Sequence, residues 1–348
     1  MKLTFRWYGE SDPIQLEQIR QIPSMSGIVT AVYDVAPGGV WPRESIARLH
    51  SLAAAQGLAM EVIESVPVHE DIKLGLPGRD RYIEAYCENL KRLGEAGVKC
   101  VCYNFMPVFD WTRTQLDKSA GDGSTSLVYY EDQLRKMDPL SGSLSLPGWD
   151  SSYRKDELKK LFNAYKDINA DRLFENLGYF LRAVIPAAEA AGIVMAIHPD
   201  DPPWPIFGLP RIITDERNID RFLRLVDRPA NGLTLCTGSL GSARSNDIPR
   251  LAAKYAAQGR IHFVHARNVR LVQGGFEESA INSGSLDMPA ILGALYSNGF
   301  DGYIRPDHGR MIWGEKGRPG YGLYDRALSA AYIEGVWQTL AQTGPRPV

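Results

Sequence analysis

The sequence predicts an α/β fold: one (β/α)8 barrel spanning residues 1–348, with a long helical and loop insertion at 105–170 after the fourth strand. Three observations predict it. Strand-length apolar runs alternate with helical stretches along the chain, as in successive βα units. Gly57, Gly97, Gly192, Gly232 and Gly302 each stand just before a strand, where a helix stop belongs. In the second half, the runs VMAIH, LTLC, IHFVH and YIRPDH each end in a metal-capable side chain. Parallel strands that deliver ligands to one rim are the pattern of a barrel with its chemistry at the C-terminal face. An open doubly wound sheet is the competing architecture, but no GxGxxG follows the first strand.

The elements follow in order. Thr4–Tyr8 and Ile28–Tyr33 are rich in β-branched and aromatic residues and read as strands one and two. A helical stretch, Pro42–Gln56, precedes strand three at Leu58–Ser65. An amphipathic helix at Arg81–Glu95 precedes strand four at Lys99–Phe105. A long helix at Arg172–Ala191 leads into Val194–His198, and Leu233–Cys236 follows. Helical stretches at Leu251–Gln258 and Pro289–Ser297 flank the strand at Ile261–His265. Tyr303–His308 is the last strand and Ala327–Leu340 the last helix.

The stretch from Phe105 to Asp171 is too long for an ordinary loop. It carries Pro107, Gly121, Gly123, Gly142, Pro147 and Gly148, with one short helix expected at Lys155–Ala164. Its aromatic residues, Trp111, Tyr129, Tyr130, Trp149 and Tyr153, argue for packing. In a barrel it hangs over the catalytic rim, as a cap, a subunit contact, or both.

The bulk numbers bound the function. With 44% hydrophobic and 23% charged residues in 348, there is ample chain for one large core. A net charge of -2 without a basic block argues against a nucleic-acid groove. No apolar run approaches the roughly 20 residues of a spanning helix, and the start, MKLTFRWYGESDP, lacks the apolar core of a signal peptide. A cytoplasmic location is expected. Cys87, Cys100, Cys102 and Cys236 show no disulfide spacing, which fits a reducing compartment.

His198 ends its strand and Pro199 stops it, so its imidazole faces the rim. Cys236 sits where the chain leaves the barrel, before the Gly-rich turn TGSLGS. In IHFVHARN, period-two alternation separates His265, with Ile261, Phe263 and Arg267, from His262. His265 is nearer the rim and is the expected ligand, with His262 structural. Arg267 is then placed to meet an anion. Of Asp307 and His308, Asp307 is taken as a hard oxygen ligand and His308 as acid or base; the reverse assignment stays open. The set His198, Cys236, His265 and Asp307 carries two negative charges, which match a divalent first-row metal, with Mn²⁺ or Fe²⁺ favoured. Four ligands would satisfy Zn²⁺ and suit a structural site better.

At these residues the chain resembles the D-mannonate dehydratase family, a branch of the xylose isomerase-like TIM barrels. The resemblance runs through FRWYG (5–9), GIVTAVYDV (27–35), YNFMPVFDWTRT (103–114), HPDDPP (198–203), CTGS (236–239), IHFVHARN (261–268), RPDHGRMIWGE (305–315) and GYGLYDRAL (320–328). It implies metal-dependent removal of water from D-mannonate, giving 2-keto-3-deoxy-D-gluconate in glucuronate catabolism. A metal chelated by the carboxylate and an adjacent hydroxyl would stabilise the charge formed at C2. His308 and a tyrosine, Tyr321 or Tyr324, resemble the family's acid–base pair. Tyr321, between two glycines, is the choice made here, with Tyr324 beginning the last helix. Arg267, Asn104, Arg310 and Trp7 are the expected substrate contacts, and Arg113 adds to the preference for an acid. A homo-oligomer is expected. A sugar isomerase or epimerase on the same barrel, or a non-catalytic sugar-acid binder, are the rival readings.

Overall fold

The computed structural model describes residues 1–140 and 155–343. Gly142, Pro147, Gly148, Trp149 and Tyr153, part of the expected insertion, lie outside the described residues. Among the described residues the strands are β1 (Lys2–Arg6), β2 (Gly27–Thr30), β3 (Ala59–Glu64), β4 (Cys100–Tyr103), β5 (Gln115–Ser119), β6 (Thr125–Tyr130), β7 (Val194–Ile197), β8 (Asn231–Cys236), β9 (Ile261–Ala266), β10 (Asn268–Val272), β11 (Gly275–Ser279) and β12 (Tyr303–Pro306). Eight of them close a parallel barrel in the order β1-β2-β3-β4-β7-β8-β9-β12, with β12 returning to β1. These are the eight expected strands. The fold is a (β/α)8 barrel.

The expected helices also form, at Arg43–Ala55, Arg79–Glu95, Lys155–Tyr165, Ala170–Ala190, Ile248–Ala257, Met288–Ser297 and Tyr324–Thr343. The helix Glu216–Leu225 was not expected. It is capped by Asp215, whose carboxylate accepts from the Asn218 N–H, and it buries Ile219, Phe222 and Leu223. The long helix shows why such stretches fold as they do. Leu173, Leu177, Phe180, Leu181, Val184 and Ala188 recur at helical spacing and are all buried. Phe180 meets Tyr86 of the Arg79–Glu95 helix edge to face, with ring centroids 5.0 Å apart. Truncating Phe180 to Ala would cost about 3–5 kcal/mol.

Inside the barrel, Val29, Val62, Cys100, Cys102, Ala196, Phe263 and Tyr303 form a smaller separate cluster. Cys100 and Cys102 therefore share one face, as the alternation implies.

A second sheet was not legible. Strands β10-β11-β6-β5 form a four-stranded antiparallel sheet beside the barrel. Its β5–β6 hairpin lies in the 105–170 insertion, which is thus more than loop and helix. Its β10–β11 hairpin follows β9, and Phe276 of β11 pairs with Tyr129 of β6. Stacked rings of Tyr129 and Phe276, 5.6 Å apart, hold the join.

Candidate metal centre and active site

Three of the four expected ligands converge. Ligand atoms of His198, Cys236 and His265 lie within 4.8 Å of one another. Strand register brings two of them together, since Cys236 of β8 is paired with His265 of β9. His198 follows β7, where its N–H donates to the Tyr103 carbonyl at 2.7 Å. Its Nδ1 lies 2.6 Å from the Pro199 carbonyl. A carbonyl can only accept, so Nδ1 carries the proton and Nε2 is left for the site.

Cys236 caps the short helix Thr237–Gly241. Ser239 donates to its sulfur through N–H at 3.4 Å and through Oγ at 2.9 Å. Burial pushes the thiol up, but the Arg267 guanidinium and the neighbouring imidazoles of His198 and His265 outweigh it, holding Cys236 well below the usual thiol range. Burial pushes the His198 imidazolium down, yet Cys236, with Asp110 and Glu64 behind it, pushes it up to about 9. The two shifts describe one thiolate–imidazolium pair.

Asp307 stands beside this trio. Its Oδ2 is 3.5 Å from Cys236 Sγ and its Oδ1 is 3.9 Å from His265 Nδ1. The carboxylate is held well below its usual range, because His308, Arg305 and Arg267 outweigh its burial. Arg305 donates to Oδ1 at 2.8 Å, and Arg267 Nε lies 3.0 Å from Oδ2.

The donor set fits a divalent cation. His265 Nε2 is buried without a hydrogen-bond partner, and an anionic sulfur and a carboxylate lie 3.5 Å apart in a buried site. A second trio, Glu64, Cys102 and His265, is also close. It fits less well. Burial keeps the Cys102 thiol protonated, well above its usual value, and both Glu64 oxygens already accept from Arg305, at 3.0 and 3.1 Å.

From the donor cluster, His198 and Asp307 open on a cavity of about 300 Å³ that His308, Tyr321, Asn104, Trp111, Arg6, Tyr8 and Arg305 also help to line. The His308 and Tyr321 rings are 5.4 Å apart, and Trp111 from the insertion lies against His308 at 5.1 Å.

Comparison with known proteins follows the same line. The family model for D-mannonate dehydratase (UxuA) matches residues 1–345. The chain belongs to the D-mannonate dehydratase family. The mannonate dehydratase 2 of Halalkalibacterium halodurans is 57% identical over 344 residues, covering 98% of this chain and all of that protein. The crystal structure of the mannonate dehydratase of Streptococcus suis serotype 2 superposes with a TM-score of 0.93 at 46% identity, covering 100% of this chain and 97% of that one. An L-ribulose 3-epimerase, at 16% identity and a TM-score of 0.56 over 98% of this chain and 96% of its own, shares the fold alone.

Within this member of the dehydratase family, three of the four expected substrate contacts, Trp7, Arg267 and Arg310, lie off the cavity wall. Trp7 does not line the cavity. It is packed in the main core, while Arg6 and Tyr8 on either side of it face inward. The larger core lies between barrel and helices, so the apolar half of the alternation turns outward. Arg267 is fully buried and engaged by Asp201 at 2.7 Å and Glu278 at 2.7 Å. It stands behind the ligands and offers no free fork. Arg113 is spent in the same way, with bidentate bonds to Asp201 at 2.8 and 3.0 Å. Arg310 is held by Asp325 at 2.8 Å and Asp122 at 3.0 Å, away from the cavity. Asn104 does line the cavity, and its Nδ2 donates to Asp110 at 3.1 Å. Tyr324 begins the last helix and is exposed. His262 lies outside the cluster, facing Gly232.

Two carboxylates went unnoticed in the sequence. Glu64 ends β3, 3.4 Å from His265 Nε2. Glu278 on β11 lies 2.6 Å from His308 Nδ1. The Gln273-Gly274 turn between two alternating runs was the available hairpin signal for the latter, with Gly274 at φ 69°.

Proposed function

We propose that this chain dehydrates D-mannonate to 2-keto-3-deoxy-D-gluconate in glucuronate catabolism, with Mn²⁺ or Fe²⁺ held by His198, Cys236, His265 and Asp307. The observation that carries the reading is that His308 and Tyr321 line the same cavity as two of those donors, His198 and Asp307. When bound, the ion supplies Lewis acidity for the negative charge that builds as the C2 proton leaves.

The protein's own groups divide the proton work. Glu278 is ionised, since His308, Arg267 and Arg113 outweigh its burial. It accepts from His308 Nδ1–H, which leaves the Nε2 lone pair to take the C2 proton. Tyr321 stays a phenol: burial, Tyr8 and Asp307 push it well above its usual value. It gives its proton to the C3 hydroxyl, which departs as water. The enol left behind ketonises at C2 and gains a proton at C3.

The insertion serves as a cap in this reading, supported by Asp110 and Trp111 on the cavity wall. Cytoplasmic operation fits the four free thiols. A homo-oligomer fits the exposed apolar group of Trp313, Tyr324 and Leu328. The deciding experiment is incubation of the Mn²⁺-loaded protein with a panel of hexonates, scored for 2-keto-3-deoxy product. Product from D-mannonate that vanishes on chelation supports the reading; no product from any hexonate refutes it.

A further inference from the structure

Arg6 has no role in the chemistry above, yet it lies on the wall of the same cavity. It is 8% exposed. Its Nε and Nη1 are buried and have no hydrogen-bond partner. The nearest carboxylate, Glu64, approaches Nη1 at 3.3 Å but is already committed to Arg305 through both oxygens. Tyr8 and Tyr33 place ring faces near the guanidinium, 4.9 and 6.0 Å from its carbon. They fix its position without accepting its protons.

Buried guanidinium donors are ordinarily paired, and an orphaned one carries a desolvation cost. Water can satisfy the N–H groups but adds nothing to the share of the Glu64 charge that Arg6 has beside Arg305. A carboxylate supplies acceptor and charge together, with charge-assisted hydrogen bonds in matching planar geometry. Of the other cavity-lining arginines, Arg305 is consumed by Glu64 and Asp307, and Arg318 is an exposed side chain stacked on the Tyr8 ring at 4.2 Å, at the solvent side of the wall.

We propose that Arg6 is the group that selects a sugar acid over a neutral sugar, its Nη2, the guanidinium nitrogen that is neither sealed in nor hydrogen-bonded, taking the substrate carboxylate. The proposal rests on the dehydratase reading for the identity of the acid, and on Arg6 alone for the preference for an anion.

Calorimetric titration of the metal-loaded protein with D-mannonate and with D-mannitol, which lacks the carboxylate, tests it. The wild type should bind the acid at least 30-fold more tightly. Arg6→Gln should lose most of that ratio while leaving mannitol affinity unchanged, and added guanidinium ion should restore part of it to Arg6→Ala. If Arg6→Gln fails to fold, Arg6→Lys decides: it keeps the charge without the fork, and the ratio should fall roughly tenfold. A ratio unchanged in the folded variants, or a wild type with no preference for the acid, overturns the proposal. Absence of keto-deoxy product with the preference intact would refute the dehydratase reading and leave the role of Arg6 standing.

Discussion

Glu278 Oε2 lies 2.6 Å from His308 Nδ1, joining a strand of the second sheet to the segment that follows the last barrel strand. The carboxylate fixes which imidazole nitrogen holds the proton and which way the ring points. Glu278→Gln keeps the shape but loses the charge. Turnover of D-mannonate should fall roughly 10- to 100-fold, the usual effect of losing such a support. Steady-state kinetics check this, with thermal melting to confirm folding, since two arginines also depend on Glu278. Full activity would show that His308 needs no support.

His308→Asn should retain the metal and lose roughly two to four orders of magnitude in turnover. Tyr321→Phe should behave alike. Exchange of the C2 proton with deuterated solvent separates them. The Tyr321 variant should still wash out the C2 proton without eliminating water, whereas the His308 variant should do neither. Loss of metal from His308→Asn would mean that Asp307 and His308 exchange roles.

Cys236→Ser should lose its metal on dialysis well before Cys87→Ser does. Cys236 is wholly buried beside two imidazoles, whereas Cys87 is half-buried and makes only a weak contact with the Ala183 carbonyl, at 3.9 Å. Metal analysis of the dialysed proteins decides. Equal metal content would remove Cys236 from the ligand set.

Acid should destabilise the fold through His262. Burial, with Arg260 adding, outweighs a hydrogen bond at the Pro229 backbone and lowers its pKa to about 4 from an unfolded value of 6.5. The unfolded chain then binds the extra proton, so this contribution is complete above pH 6.5 and is lost as pH falls toward 4. The loss is on the order of 1–3 kcal/mol. Urea unfolding at pH 7.5 and pH 5 should show a smaller drop for His262→Gln than for the wild type. Parallel drops would exclude His262 as the titrating group.

The barrel was legible because each strand is short, apolar and followed or preceded by an unambiguous stop. The ligand cluster was legible for the same reason: His198, Cys236 and His265 all stand where a strand meets the rim, and alternation alone separates His265 from His262. What alternation cannot show is which charge arrives from elsewhere. Arg267 has the right position for an anion, but Asp201 and Glu278 come from distant segments and occupy it. Arg310 is claimed in the same way by Asp122 and Asp325. In TFRWY the period fits either set of residues facing inward; the thicker core outside the barrel decides for Phe5 and Trp7, and so exposes Arg6 to the cavity.

The sheet that delivers Glu278 is built from two hairpins separated by more than a hundred residues of chain. The donors His198, Cys236 and His265 ride on the barrel itself. The proposed ion donors and the carboxylate behind the proposed base therefore sit on different pieces of the polypeptide. A lineage that rewrites the β10–β11 hairpin resets the poise of His308, and through the Glu278–Arg267 pair it reaches Cys236 as well. Chemistry at the rim can thus be retuned from a sheet that lends no strand to the barrel.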